Sequence, residues 1–479
     1  MENPDRRNFC GRLLGLGALI AARAWAGAPP QAAAECRIAL SQRRQTLEGF
    51  GASGAFHQAG LLQRYPADER ARMLDLLFSA ERGAGLSWVR NLIGDGGAWG
   101  SQRNGPTPSI EPRAGDWNWA GDDDQIWLMR AAARRGVTRF FSSAWSPPAW
   151  MKTNQNVVGG ELRRDAYAAY AEYLARYVEG YRRRHRLTIA AVSPQNEPDV
   201  NVHYSSCHWS GEQYREFVRD YLRPAFQRAR TPARLVLGES STWSEAVVRP
   251  TLADPQAAPR VDVVAAHAYA GNNHAPKIPL AERTGRFELA LKLGKPVWQT
   301  EVSAFNANDP TIADGLYWAK LIHYHLAEDQ VSAWFYWWLA SPAPNREALM
   351  LLDPASGGWL ANKRLFTLGQ YSRFLRPGAV RLESERNPAP GVHTSAWQLA
   401  GGSGYAVVAI NENPAPARLR FRLQATAGGP GAGGRLAAWR TSAFEELRPL
   451  AADQAGALQP GGWLSELWPM SVTTFVYHA

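Results

Sequence analysis

Between residues 47 and 339 the sequence alternates short runs rich in β-branched and aromatic residues with amphipathic runs of helical period. The strand-like runs are LEGFGASGAF, LSWVRNLIG, VTRFFSSAW, LTIAAVSPQNE, ARLVLGES, VDVVAAHAY, KPVWQTEVS and VSAWFYWWL. Helical patterns lie at 67–78, 125–135, 165–184, 211–229, 281–293, 311–328 and 362–375. Eight successive βα units predict a parallel (β/α)8 TIM barrel, in which chemistry lies at the carboxyl ends of the strands.

The pattern changes near residue 376, where helical periodicity stops. The runs RPGAVRLESE, VHTSAWQLAGG, YAVVAINEN, ARLRFRLQ and SVTTFVYHA are strand-like and separated by Gly and Pro. We therefore predict an α/β chain with a catalytic barrel at 49–375 and a fused C-terminal β-sandwich side domain at 376–479. The polar run 35–48 is expected to add an N-terminal strand to that side domain.

The N-terminus resembles a targeting signal. DRRNFCGRLLGLGALIAARAWAGA pairs Arg6 and Arg7 ahead of a Gly/Leu/Ala run that ends in small residues, as a twin-arginine export signal does. No later segment approaches the roughly 20 apolar residues that a membrane span needs. We expect residues 1–34 to be an export signal on a bacterial protein that is periplasmic or secreted, is not bound to a membrane and is a monomer.

The charge and the tryptophan content indicate different partners. A net charge of +10 would suit an acidic partner, but the basic residues are scattered, and the densest cluster, at 182–186, ends an amphipathic helix. With no nucleic-acid-binding signature in the sequence, we expect no nucleic-acid partner. The 20 Trp residues favour a carbohydrate partner, because indole rings stack on sugar rings as well as filling cores.

The glycine-rich stretch GFGASG at 49–54 has the glycine spacing of a dinucleotide-binding motif but not its sequence context. It lacks the preceding apolar strand, and the next strand begins only near residue 86, so we expect no nucleotide cofactor. No metal site is expected either, because His203 and His208 flank Cys207 without a metal-binding spacing. Cys36 and Cys207 could form a disulfide or remain thiols.

Two glutamates carry the predicted chemistry. Glu197 in SPQNEPDV follows the fourth strand-like run, and Glu301 in WQTEVSAF ends the seventh. Strands four and seven lie across the mouth of a barrel, so the two carboxyls can converge on one bond. Cleavage of a glycosidic bond needs such a pair, one protonated to donate to the leaving oxygen and one ionised to attack or to activate water. Asn196 is placed to hydrogen-bond a sugar hydroxyl.

Five motifs of the chain, taken in order, resemble those of glycoside hydrolase family 30, a group of retaining β-glycosidases. They are QTLEGFGASGA, SAWSPPAWMKTN, SPQNEPD, TEVS and LGQYSRFLRPG. The resemblance implies that Glu197 is the acid/base and Glu301 the nucleophile, with a carboxyl separation of about 5–5.5 Å. It further implies that Arg90 hydrogen-bonds Glu301. The other implied pocket residues are Trp145, His267, Tyr269 and Trp337. From their positions in the sequence, Asp95 at the end of the second strand is expected to contact a sugar hydroxyl or to cap a turn, and Tyr204 in the loop after Glu197 to shape the groove.

The chain departs from one part of the family pattern. Glucuronoxylanases of the family carry an Arg-x-Tyr element after strand eight, where this chain has LASPAPNRE with Arg346 as its nearest base. We therefore do not expect dependence on a glucuronate branch. Xylan is the preferred substrate, with β-1,6-glucan, β-1,6-galactan and exo-β-xylosidase action as alternatives. Endo and exo action both stay open, as does a non-catalytic carbohydrate-binding protein.

Overall fold

The computed structural model describes residues 32–97, 105–270, 278–305, 309–342, 347–424 and 434–478. After β1 (Ala34–Thr46), eight parallel strands form a barrel: β2 (Gly49–Ser53), β3 (Trp88–Ile93), β4 (Arg139–Ala144), β5 (Ile189–Ser193), β6 (Arg234–Thr242), β7 (Val263–Tyr269), β8 (Val297–Gln299) and β9 (Val331–Pro342). β9 pairs with both β2 and β8, which closes the barrel. Each predicted strand-like run coincides with one of these strands, although β6 and β9 extend two or three residues beyond their runs, and the predicted fold class is confirmed.

The helices surround the barrel, apart from the last one, which lies in the second sheet's domain. They are α1 (Gln58–Leu62), α2 (Ala67–Phe78), α3 (Asp123–Ala133), α4 (Tyr167–Gly180), α5 (Gly211–Glu216), α6 (Arg223–Ala229), α7 (Arg249–Ala253), α8 (Glu288–Lys292), α9 (Ile312–Ala327), α10 (Lys363–Ser372) and α11 (Ala452–Ala455). The helix predicted at 281–293 is much shorter than expected. Gly285, with a φ of +146°, breaks the helical path there, so only α8 forms.

The interior of the barrel is filled by aromatic side chains. Trp88, Trp298 and Phe335 pack with ring centroids 5.1–6.0 Å apart, and all three are buried. Gly51 on β2 faces this cluster. A Cβ on Gly51 would lie 2.6 Å from the Phe335 ring and 2.8 Å from Trp88 Cβ, so the glycine of the GFGASG stretch makes room for the aromatic core.

A second sheet contains the remaining strands of the chain, apart from the hairpin β10 (Ala348–Asp353) and β11 (Gly358–Ala361), which extends the barrel sheet from β9. Its strands are β12 (Val380–Ser384), β13 (Val392–Gln398), β14 (Tyr405–Asn411), β15 (Ala417–Gln424), β16 (Arg435–Thr441), β17 (Arg448–Pro449), β18 (Ala457–Gln459), β19 (Gly462–Leu467) and β20 (Ser471–His478). β1 lies between β12 and β15, pairing antiparallel with the first and parallel with the second.

The side domain packs on the barrel through α9 and α10. All ten residues of α10 are buried, because one face meets the barrel and the other meets the second sheet. The Thr474 hydroxyl donates to the carbonyl oxygen of Gln370 across this contact at 2.5 Å. Among the residues described, no helix is both long and apolar enough to cross a membrane.

Candidate active site

Glu197 lies just beyond the carboxyl end of β5 and is buried. Its backbone is in the left-handed region, with a φ of 46°, which is uncommon outside glycine and concentrates at functional sites. The backbone N–H of Glu197 donates to the carbonyl oxygen of Glu239 at 2.9 Å, and the N–H of Asn196 donates to the carbonyl oxygen of Ala144 at 2.7 Å. The ends of the neighbouring strands β4 and β6 thus position the Glu197 loop.

Glu301 follows β8, and its side chain is bound from two sides. Arg90 on β3 donates from Nη1 to Oε2 of Glu301, and the Tyr269 hydroxyl donates to Oε1 at 3.0 Å. Burial raises the pKa of the Glu301 carboxyl, while the positive charges of His267 and Arg90 act in the opposite direction. His267 and Arg90 therefore favour the ionised form of Glu301, whereas its burial favours the neutral form.

The two predicted catalytic carboxyls meet at one point of the barrel mouth. One carboxylate oxygen of Glu197, one of Glu301 and one ring nitrogen of His267 all lie within 4.8 Å of one another. Inverting glycosidases hold their carboxyls about 6.5–9.5 Å apart to admit a water molecule, whereas retaining ones need about 5–5.5 Å. The spacing of Glu197 and Glu301 therefore matches a mechanism in which one of them attacks the sugar directly.

Glu239, at the carboxyl half of β6, is a site residue that the sequence reasoning missed. Its side chain is fully buried, accepts from Arg90 Nη2 at 2.9 Å and from the Ser143 hydroxyl, and lies 3.5 Å from Nε2 of His267. Burial would raise the pKa of Glu239, but Arg90, His267 and Ser143 together lower it to about 2. The site thus holds a third carboxyl beneath the predicted catalytic pair, and its lowered pKa favours the ionised form.

His267 joins Glu239 to Glu197. Its Nδ1 lies 3.1 Å from Oε1 of Glu197, and its side chain has no exposed surface. Burial opposes the charged imidazolium, but Glu301, Glu197 and Glu239 outweigh it and raise the pKa of His267 to about 9. A protonated His267 places a positive charge between the carboxyls of Glu197, Glu239 and Glu301.

Arg90 forms the base of the site and does not reach the pocket surface. Besides its two carboxylate partners it donates from Nη2 to Oδ1 of Asn196 at 2.7 Å, and it is completely buried. Sequence reasoning grouped Arg90 and His267 with the substrate-binding residues. Neither has exposed surface, and their contacts are to the site's own side chains: Arg90 to Glu301, Glu239 and Asn196, and His267 to Glu197 and Glu239.

Aromatic side chains enclose this charged centre. The Trp145 ring lies over the Arg90 guanidinium at 4.6 Å from its centroid, and Trp337 packs 5.6 Å from Trp145. Only 2% of Trp145 and 6% of Trp337 is exposed, so these two residues mainly desolvate Arg90. Trp338, which stacks on Trp337, and Tyr204 are less buried and offer more surface to a sugar.

Tyr204 and Tyr269 each contact one of the two catalytic carboxyls. The Tyr204 hydroxyl donates to Oε2 of Glu197 at 3.4 Å, and the Tyr269 hydroxyl contacts Glu301 as described above. Both residues therefore lie where sequence reasoning expected pocket residues.

Asp95 makes the turn-capping contact that was the alternative to a sugar contact. Its Oδ1 accepts from the backbone of Gly97 at 2.9 Å and from the Thr107 hydroxyl at 3.0 Å, and its Oδ2 accepts from the Ser205 hydroxyl at 2.5 Å. Asp95 is buried. Both oxygens are engaged by two loops, one of which carries Tyr204, so Asp95 anchors the pocket wall rather than contacting the ligand.

A second buried polar residue, Gln195, was also missed. Its side-chain amide donates to the carbonyl oxygen of Trp145 at 2.7 Å, which ties the loop after β4 to the Glu197 loop.

Cys36 and Cys207 are both buried free thiols, so the alternative of a disulfide between them is wrong. His208 lies 3.6 Å from Glu161 at the surface. Arg346 lies outside the described residues.

A family model described as glycosyl hydrolase family 59 matches residues 47–370, so the barrel belongs to the glycosyl hydrolases that this model describes. A glucuronoxylanase of Bacillus subtilis is 27% identical over 454 residues, which are 93% of this chain and 92% of that protein. The crystal structure of a family 30 subfamily 8 xylanase from Clostridium acetobutylicum is 27% identical, has a TM-score of 0.74, and covers 93% of this chain and 100% of its own. This chain belongs to glycoside hydrolase family 30.

Another family 30 structure extends the likeness over the same length. The catalytic domain of xylanase C from Talaromyces cellulolyticus is 26% identical, with a TM-score of 0.76 and coverage of 93% of this chain and 100% of its own. The family 30 resemblance inferred from five sequence motifs is therefore confirmed. The chain is a glycosidase, and the predicted barrel with its side domain is the shared architecture of the family 30 structures.

Proposed function

We propose that this family 30 enzyme is a retaining xylanase that hydrolyses β-1,4-xylan through Glu197 and Glu301. Glu197 donates its proton to the departing glycosidic oxygen while Glu301 attacks the anomeric carbon, which forms a glycosyl-enzyme ester and releases the leaving sugar. Glu197, now ionised, then removes a proton from water as that water attacks the same carbon. Glu301 leaves as a carboxylate, and Glu197 is protonated again.

The close approach of the two carboxyls carries this proposal. Their oxygens lie within 4.8 Å of one another, too close for a water molecule and a sugar carbon to fit between them in an inverting mechanism. The charges in the site support the same roles. Arg90 contacts Glu301 and Glu239, whereas Glu197 is contacted by His267 and by the Tyr204 hydroxyl. The Arg90 guanidinium at Glu301 supports the ionised form that a nucleophile needs.

Xylan is supported by the similarity to proteins named as xylanases and by the near-complete coverage of both chains. Purified mature protein would be tested on xylan, glucuronoxylan, β-1,6-glucan, β-1,6-galactan and aryl β-glycosides, with products separated by chromatography. Release of xylo-oligosaccharides from xylan is expected, and the product ladder distinguishes endo from exo action. Hydrolysis of a β-1,6-linked glycan alone would replace xylan by that substrate.

The two roles have separate tests. Glu301→Gln should abolish hydrolysis, because the amide cannot form the covalent ester. Glu197→Ala should lose about 10²–10⁴-fold in kcat. With an activated aryl glycoside, added azide should restore turnover of Glu197→Ala, because azide attacks the glycosyl-enzyme without a base. A glycosyl azide of retained configuration from Glu197→Ala supports the assignment, and a retained glycosyl azide from Glu301→Gln instead would reverse the roles.

We also propose that residues 1–34 direct export and that the mature protein is a monomer. Paired Arg6 and Arg7 followed by the Gly/Leu/Ala run support export. Arg6→Lys with Arg7→Lys should retain the full-length protein in the cytoplasm, as fractionation of a bacterial host would detect.

Light scattering of the mature protein would measure its mass. A mass of twice the chain would refute the monomer.

A further inference from the structure

Glu347 is a carboxyl near the pocket that the proposed mechanism does not use. It directly precedes β10, and its carbonyl oxygen accepts from the backbone N–H of Trp338 at 3.3 Å. In the sheet, Ala348 pairs with Trp338 near the carboxyl end of β9. The parallel pairing of β10 with β9 therefore places Glu347 at the barrel mouth, beside the two stacked tryptophans Trp337 and Trp338.

Two hydroxyls connect Glu347 to the proposed nucleophile. The Glu347 side chain hydrogen-bonds Ser303, whose hydroxyl lies 3.2 Å from that of Tyr269. The Tyr269 hydroxyl in turn donates to Oε1 of Glu301 at 3.0 Å. Glu347 is thus separated from Glu301 by Ser303 and Tyr269, on the side of Glu301 that faces away from Arg90.

Glu347 interacts electrostatically with other side chains of the pocket. Burial first, and then the negative charge of Glu301, raise the pKa of Glu347 to about 7. Its charge also acts on Tyr204 and Tyr269, which line the same pocket. The side chain remains partly exposed. A ligand beside Glu301 therefore meets a second carboxyl in a region of reduced solvation.

We propose that Glu347 is a specificity-determining residue, which accepts hydrogen bonds from the hydroxyls of a neutral glycan and rejects a glycan with a carboxylate branch beside the cleaved bond. This inference rests on the proposed function and narrows it to neutral xylan. Sugar hydroxyls donate hydrogen bonds, and a carboxylate can accept them. Above pH 7, where Glu347 is ionised, a uronate would bring a third negative charge next to Glu301 and Glu347, and like charges in a desolvated pocket are strongly unfavourable.

The experiment compares two xylo-oligosaccharides of equal length, one unbranched and one with a single glucuronate branch. The measured quantity is the ratio of kcat/KM for the two substrates, for wild type, Glu347→Gln, Glu347→Asp and Glu466→Gln. Glu466 is exposed on β19 of the side domain and gives the same change of charge far from the pocket. Thermal unfolding of each variant checks that it is folded.

Wild type and Glu466→Gln should prefer the unbranched substrate by about tenfold or more, equivalent to about 1.4 kcal/mol. Glu347→Gln should bring the two substrates within about threefold, mainly by improving the branched one, and Glu347→Asp should keep most of the preference. Added salt should weaken the wild-type preference, because salt screens the repulsion.

Each other result has a defined meaning. A wild type that cuts both substrates equally, or the same ratio in Glu347→Gln, overturns the role of Glu347 and leaves the xylanase proposal standing. A wild type that prefers the branched substrate overturns the role of Glu347 as well. Failure to cut either oligosaccharide overturns the xylanase proposal itself, and with it the inference that depends on it.

Discussion

The backbone amide of Glu197 donates a 2.9 Å hydrogen bond to the carbonyl oxygen of Glu239, and both residues adopt left-handed backbone conformations. Left-handed backbone costs of order 1 kcal/mol or more for a residue with a side chain, so the neighbouring structure must enforce it. Here the Glu239 carboxylate is fixed by Arg90 and Ser143. Glu239 therefore positions Glu197 through the backbone and His267 through its side chain.

Replacement of Glu239 tests this positioning role. Glu239→Gln should lower kcat by about 10²-fold or more, because the pKa of His267 falls when one of its three carboxylate neighbours is lost. It should also destabilise the fold by about 3–5 kcal/mol, since Arg90 and His267 lose a buried counter-charge. A pH–rate profile and denaturant unfolding measure the two effects. An unchanged pH profile would leave Glu239 with a structural role only.

Loss of the His267 proton at alkaline pH should lower the free energy of unfolding. Its pKa is raised in the folded state from 6.5 to about 9, so the stabilisation is fully present below about pH 6.5 and is lost as pH rises through 9. The loss should be on the order of 3 kcal/mol. Denaturant unfolding from pH 6 to 10 measures it. His267→Asn cannot be protonated, so it should remove this slope, and a slope equal to that of wild type would assign the titration to another group.

Removal of Asp95 should loosen the pocket wall without abolishing the chemistry. In Asp95→Ala the Ser205 hydroxyl and the Thr107 hydroxyl lose their buried acceptor, at a cost of about 1–3 kcal/mol in the free energy of unfolding. We expect a raised KM and a smaller change in kcat, because the loop that carries Tyr204 is less well positioned.

A double-mutant cycle with Ser205→Ala separates the anchor from a direct contact. If Asp95 acts through Ser205, the two changes should cost less together than the sum of their separate effects. Additive losses in kcat/KM would instead indicate that Asp95 binds substrate by itself.

The glycine at position 51 should be irreplaceable for steric reasons. Gly51→Ala places a methyl group against Phe335 and Trp88 and should destabilise the protein by about 1–3 kcal/mol, because the barrel interior is already filled. Gly60→Ala is the matched control. Gly60 lies in α1, where the nearest atom to an added Cβ is 3.4 Å away, so the change should be neutral or slightly stabilising. Thermal unfolding distinguishes the two, and equal midpoints would contradict the packing argument.

The periodicity of the sequence determined the barrel. Each parallel strand of β2 to β9 is a short apolar run between helical patterns, and this local signal survives in the structure because a barrel strand is buried on both faces. The same signal located Glu197 and Glu301, since each follows such a run directly. The helix expected at 281–293 failed where Gly285 and Phe287 left the helical region of backbone space.

Tertiary structure alone decided which side chains meet. Glu239 lies in the run ARLVLGES, where nothing marks it as different from any other strand-end glutamate, and Asp95 looks equally suited to a sugar contact. The barrel brings Glu239 to Arg90, 149 residues away, and Asp95 to Ser205, 110 residues away. Local periodicity reports which face of an element is buried, whereas the charge and role of a buried group depend on partners that only the closure of the barrel supplies.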